Sequence, residues 1–223
     1  MSLLEKAEIL LENREEKHPE NLEEARRLFI EGCEEDEGAS WTALSETCFW
    51  IAEYASSDRE KEQAYAEGVE AGEKAVVFAP EWADAHLWYA ANLASLGLVR
   101  GIMSSLFYLK DIEKHGNLAL EIDHSYFYAA PLRLMGRYYH QCPGWPIGSG
   151  NIKKSISLLE KAVATGPELI LNHLYLGEAY LAKKRKKDAK SILEKALAVP
   201  TLEHLPKYHG MTREKIEHLL AKM

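Results

Sequence analysis

Residues 155–167 read SISLLEKAVATGP, and residues 189–200 read AKSILEKALAVP. Aligned, Ser155 falls on Ala189, Leu159 on Leu193 and Ala162 on Ala196, each 34 residues apart. That is the length of one helix–turn–helix unit in a repeat array. Between the two segments, LNHLYLGEAYLAKKRKKDA supplies Leu176, Gly177 and Tyr180 as a large, small and aromatic set on a first helix. The small residues Gly177, Ala189 and Ala196 let two helices approach closely, while Leu176, Tyr180 and Leu193 fill the space around them. Pro167 and Pro200 close second helices that cannot continue through a proline.

The pattern continues upstream in stretched form. Met135, Gly136 and Tyr139 suit the first helix of the preceding unit, and Ala162 lies 43 residues after Ala119. Ala119 lies 44 residues after Ala75, which Pro80 soon follows. Trp41 and Ala75 bracket another unit, and Ala25 with Phe29 belongs to a degenerate first one. Apolar residues recur at helical spacing almost throughout, and no stretch alternates over strand length. The expected helices lie near 2–16, 21–35, 40–55, 59–77, 83–96, 101–121, 126–140, 151–164, 169–182, 186–198 and 212–222. Breaks are expected at His18-Pro19, Gly38, Pro80, Gly97, Pro143 to Gly150, Pro167, Pro200 and Gly210.

The expected fold is therefore all-α: a right-handed α-solenoid of about five degenerate tetratricopeptide (TPR) helix pairs in a single domain, 1–223. The units fall at about 2–37, 39–80, 82–123, 126–167 and 168–200, with a capping helix at 212–222. Extra residues sit in 99–118 and 140–150, and insertions in repeat arrays usually lie on one face and often serve binding.

Composition agrees with a globular chain. Of 223 residues, 47% are apolar and 28% charged, with only 14 Gly and 8 Pro, which excludes wholesale disorder. Net charge is −8 and unevenly spread: residues 1–80 hold 21 Asp and Glu against 8 Lys and Arg, and residues 81–223 hold 14 against 19. The acidic half disfavours wrapping nucleic acid, so no nucleic-acid partner is expected. The asymmetry suits head-to-tail contacts or an oriented partner, and solubility accounts for it equally well. Cys33, Cys48 and Cys142 form no disulfide framework and no CxxC pair. No segment reaches membrane-span length without charge, so no span is expected. The opening MSLLEKAEILLENREE reads as an amphipathic helix, so the sequence as it stands reads as cytoplasmic, and as periplasmic if an export signal has been removed.

Chemistry is hard to find. No nucleophile elbow, phosphate loop, HExxH or dinucleotide fingerprint is present. Gly148 and Gly150 before Asn151 resemble an anion-binding turn, but a tight turn with Ser149 or Asn151 capping the next helix explains them better. His140 and Cys142 offer two metal ligands without a nearby third. The run Lys183-Lys184-Arg185-Lys186-Lys187 reads as a solvated helix–helix turn. The chain is expected to be non-enzymatic, with no catalytic residues, no metal and no cofactor.

The stronger candidate is a groove lined by first helices. The alignment places there Glu46, Trp50 and Glu53, then Leu87, Trp88 and Ala91, then Arg133, Arg137 and His140, and last Leu174 and Glu178. Arg133 and Arg137 are four apart and share one helix face. Two guanidinium groups can hold a carboxylate by forked hydrogen bonds, with neighbouring indoles against its carbon skeleton. The expected ligand is acidic, a peptide C-terminus or an organic acid. The competing reading pairs both arginines with Glu46, Glu53 or Glu178 to hold repeats together. Trp145, between Pro143 and Pro146, is either tucked under its own loop or an exposed anchor for a partner.

Four segments carry a family resemblance: GEKAVVFAPEWADAHLWYAANLASLG (72–97), LVRGIMSSLFYLKDIEKHGNLALEID (98–123), APLRLMGRYYHQCPGWPIGSGNIKKSISLLEKAV (130–163) and NHLYLGEAYLAKKRKKDAKSILEKAL (172–197). They cover about half of the chain and resemble the TPR proteins associated with TRAP transporters (TatT-like). The whole-chain repeat and the lack of a catalytic constellation point to a scaffold binding a protein or peptide, and the resemblance implies an accessory to a TRAP-type organic-acid importer with a periplasmic solute-binding protein as partner. It also implies a homo-oligomer with a channel. The alternative from another class is a small-carboxylate-binding helical-repeat protein or channel-forming assembly.

Overall fold

The computed structural model describes all 223 residues, Met1–Met223. It contains eleven helices and no strand: α1 (Leu3–Glu12), α2 (Glu20–Glu31), α3 (Glu37–Tyr54), α4 (Asp58–Phe78), α5 (Ala83–Arg100), α6 (Ile102–Ile122), α7 (Tyr126–Gln141), α8 (Ile152–Thr165), α9 (Ile170–Ala182), α10 (Lys186–Leu197) and α11 (Pro206–Ala221). They form two compact units, Met1–Ile122 and Asp123–Met223.

Caps explain several starts. The Ser2 and Ser57 hydroxyls accept from Glu5 and Glu60 backbone N–H groups, and each glutamate reaches back to its cap residue. These are capping boxes, which satisfy backbone groups that a helix end leaves without partners. Asp36 caps α3, and Asn151 caps α8 by accepting from Lys153 N and Lys154 N at 3.1 Å.

In the first unit the odd-numbered helices touch one another, α1 with α3 and α3 with α5, while α2, α4 and α6 pack only on odd-numbered ones. In the second unit α9 is central, packing on α7, α8, α10 and α11. The small residues do what their spacing suggests. A side-chain carbon on Gly177 would lie 2.7 Å from Leu193, and one on Gly136 would lie 2.5 Å from Leu159. At each position only glycine permits that helix separation. Leu159, Leu176, Ala179, Tyr180 and Ala189 share one buried cluster.

Three expected glycine breaks and one expected helix end fall elsewhere. Gly38 and Gly97 lie inside α3 and α5. The real break after α5 is Gly101, whose φ of 97° is open to glycine and strained for other residues. Gly210 also lies inside a helix: α11 begins earlier, with Pro206 in its first turn, where a missing N–H costs nothing. α1 ends early, at Glu12, because Asn13 turns its amide onto the Ile9 carbonyl and its own carbonyl accepts from Asn21.

α7 opens on an irregular turn. Phe127, Tyr128 and Ala129 have φ of 43°, 56° and 61°, left-handed values that disfavour residues with a side chain. Right-handed helix resumes around Pro131, so that proline occupies a first turn rather than a helix interior.

Candidate functional site

The expected groove residues fall in both units, and each group is described in its own. In the first unit, Trp50 and Trp88 are buried, at 1% and 3% exposure, as are Leu87 and Ala91. They belong to the core rather than to an open surface, because Phe49 and the two indoles pack ring on ring: 5.6 Å between Phe49 and Trp50, 5.3 Å between Phe49 and Trp88. Trp50 Nε1 donates to Glu46 Oε1 at 3.0 Å, and Trp88 also hydrogen-bonds this carboxylate. The Arg14 guanidinium lies 4.3 Å over the Trp50 ring. Burial raises the Glu46 pKa; the Arg14 charge and the Trp50 hydrogen bond oppose that rise. Glu53 accepts from Tyr65 Oη at 2.6 Å.

In the second unit, Arg133 donates to Asn172 Oδ1 at 3.0 Å and to the Tyr128 carbonyl at 3.2 Å. Arg137 forms an ion pair with Glu178 and stacks 4.4 Å over the Tyr175 ring. Its other nitrogens reach the Gln141 side-chain oxygen at 3.0 and 3.1 Å once that amide is oriented by its neighbours. His140 Nδ1 lies 3.5 Å from Arg137 Nη1, and burial, with the Arg137 charge, lowers its pKa. Leu174 is buried. Both guanidinium groups are therefore engaged within the unit, and a carboxylate ligand at Arg137 would compete with Glu178. The pairs 133–172 and 137–178 advance together, so α7 and α9 run parallel.

Arg133 has a second task that sequence reasoning missed. Asn172 Nδ2 donates to Tyr128 O, Ala162 O and Gly166 O at 3.0, 3.2 and 2.7 Å. A side chain on Gly166 would strike the Tyr128 carbonyl at 2.5 Å. Arg133, Asn172 and Gly166 thus fasten the left-handed turn from three sides, as such a conformation requires.

Two buried histidines were also missed. His86 Nε2 lies 2.8 Å from the Pro80 carbonyl, and His86 Nδ1 lies 2.8 Å from His115 Nδ1. A carbonyl only accepts, so His86 carries its proton on Nε2 and its bare Nδ1 accepts from His115. Burial and the neighbouring His86 push the His115 pKa down to about 4. Only the tertiary contact signals this pair, since the residues lie 29 apart in sequence.

Trp145 is 91% exposed and Ile147 65% exposed. Their loop is nonetheless well tied: Gly150 N donates to Pro143 O and Asn151 N to Tyr139 O, both at 2.9 Å, and Tyr138 Oη meets Ser149 Oγ at 3.0 Å. Gly150 is obligatory, because a side-chain carbon there would lie 2.0 Å from the Cys142 carbonyl. No group of three or more His, Cys, Asp or Glu side chains is placed to hold a metal. No helix is long and apolar enough to cross a membrane.

This arrangement of paired helices, close-packed through glycine and alanine, is that of a TPR-type helical-repeat protein. A thermophilic TPR protein of Thermus thermophilus matches with a TM-score of 0.63 at 17% identity, over 86% of this chain and 90% of that one. MamA matches with 0.55 at 17%, over 91% and 92%. YrrB, described as a TPR protein with an unusual peptide-binding site, matches with 0.51 at 15%, over 86% and 84%. The chain belongs to the family of regulator of microtubule dynamics proteins 1–3, whose sequence model matches residues 3–145. No curated protein matches it in sequence.

Proposed function

We propose that the chain is a non-catalytic TPR scaffold, one array of five helix pairs and a cap, that binds a segment of a protein partner. One observation carries this reading: parallel α7 and α9 present Arg137, His140, Tyr175 and Glu178 side by side and partly exposed. Arg137 and Glu178 side chains are 25% and 31% accessible. A cation, a carboxylate and an aromatic face in one row can meet the backbone, the charges and the apolar groups of an extended peptide. YrrB's peptide-binding site supports it by analogy of fold.

The nature of the partner has two sources of support. The four segments that resemble TRAP-associated TPR proteins support an accessory of an organic-acid importer, acting with a periplasmic solute-binding protein and as a homo-oligomer. The family name supports a partner in the microtubule system. An affinity pull-down of the chain from its own organism's lysate, read by mass spectrometry beside Arg137→Glu, distinguishes them. The expected result is one partner recovered by the parent and lost by the folded variant. Equal recovery by both would remove α7 and α9 from the binding surface.

A further inference from the structure

One end of the second unit combines exposed apolar side chains with clustered positive charge. Because α7 and α9 run parallel, the loop after α7 and the turn after α9 emerge at the same end. The loop carries Trp145 and Ile147, both exposed and held out by the hydrogen bonds across its base. It leads into the first turn of α8, with Lys153 exposed and Lys154 donating from Nζ to Tyr139 Oη at 2.6 Å. The neighbouring turn carries Lys183, Lys184, Lys186 and Lys187, all exposed, with Lys186 Nζ donating to the Met223 carbonyl oxygen. Glu160 ties the two elements together, accepting from Tyr180 Oη at 2.7 Å and lying 4.0 Å from Arg185.

The charge is placed against local helix preference. α8 has no acidic residue in its first turn, where the helix dipole favours one, and has two lysines instead. The first turn of α10 holds Lys186 and Lys187, with Asp188 paired to Arg185. Two helix ends that add their own positive partial charge to a lysine cluster make a surface suited to anions. The second unit as a whole holds 16 Lys and Arg against 9 Asp and Glu, and the first holds 11 against 26.

We propose that this end of the second unit seats on an anionic lipid surface, with Trp145 and Ile147 entering the headgroup region and the lysines facing the phosphates. Trp is favoured at that depth because its ring is apolar and its N–H remains wet. Lysine is depleted at protein–protein interfaces, where fixing a long flexible chain is unfavourable, whereas near an anionic bilayer it acts without being fixed. The inference is independent of the peptide row on α7 and α9.

The test is co-sedimentation of the full chain with vesicles of phosphatidylcholine alone and of equal parts phosphatidylcholine and phosphatidylserine, at low and high salt. Binding to the anionic vesicles only, weakened by salt, is expected. Each lysine replaced should weaken binding about fivefold, so Lys183→Gln with Lys187→Gln should weaken it roughly 25-fold. Brominated lipid should quench the emission of the parent but not of Trp145→Phe. All these side chains are exposed, so folding is unaffected and is checked by thermal melting. Equal binding to neutral vesicles, no binding to either, or unchanged binding by the lysine variant would overturn the proposal. So would capture by immobilised polyglutamate without capture by vesicles, which would indicate an acidic protein partner instead.

Discussion

Each unit holds one fully buried asparagine, Asn92 on α5 and Asn172 on α9, and the two are used differently. In the first, Asn92 Nδ2 donates to the Ser45 and Trp88 carbonyls, both at 2.9 Å, while its own Oδ1 is buried without a partner. In the second, Asn172 donates to three carbonyls and accepts from Arg133, so its amide is fully used. The first unit also places a charged pair of side chains among aromatic rings, with Arg14 and Glu46 around Trp50 and Trp88. The same helix-pair framework thus tolerates two polar interiors: one built on aromatic burial, the other on fastening a strained turn. In both, the buried amide nitrogen is satisfied by backbone carbonyls; only in the second is the amide oxygen satisfied as well.

The largest expected effect tests the aromatic interior. Trp50→Ala should lower the unfolding free energy by about 4 kcal/mol, because it removes a fully buried ring and leaves the Glu46 carboxylate with one donor fewer. Urea unfolding measures it, and a loss below about 1 kcal/mol would show that the indole is not core. The asparagines come next. Asn172→Ala should cost about 3 kcal/mol and Asn92→Ala about 1 kcal/mol, since the first leaves more buried groups unpaired. Equal losses would erase the distinction between the units.

Acid should weaken the first unit through His115. Its folded pKa lies below the ordinary 6.5, so the unfolded chain takes up the proton first. The contribution is complete above pH 6.5 and is lost as pH falls towards about 4, amounting to about 2 kcal/mol. His140 and His173, also held down by burial, act in the same sense in the second unit. Unfolding midpoints of the parent and His115→Gln at pH 7 and pH 4 should therefore converge on acidification without becoming flat. A parallel pair of curves would refute the assignment. The smallest effect belongs to the loop: Trp145→Ser should change stability by less than about 0.5 kcal/mol, because the side chain packs on nothing. A larger loss would mean that the ring is covered in solution.

Much of the fold was legible because helix pairs are written locally. A 34-residue spacing, prolines and small residues at contact positions are properties of the chain itself, and they place α7 to α10 within a residue or two. Glycine misled where it served packing or was simply tolerated: Gly97 lets α5 approach Ser105, and Gly210 sits in α11 with open space around it. The candidate site was legible in position only. Register put Arg133, Arg137, His140 and Glu178 on first helices, and there they are. Whether Trp50 and Trp88 face water, and whether Trp145 does not, depends on how many neighbouring helices cover each ring. The sequence by itself determined the repeat, the helix pairs and the segregation of charge. Tertiary structure alone decided that Arg137 meets Glu178, that Arg133 serves the turn at Tyr128, and that His86 meets His115. Those pairings join residues 29 to 41 positions apart or fasten a left-handed turn, and only packed helices bring such atoms to hydrogen-bond distance.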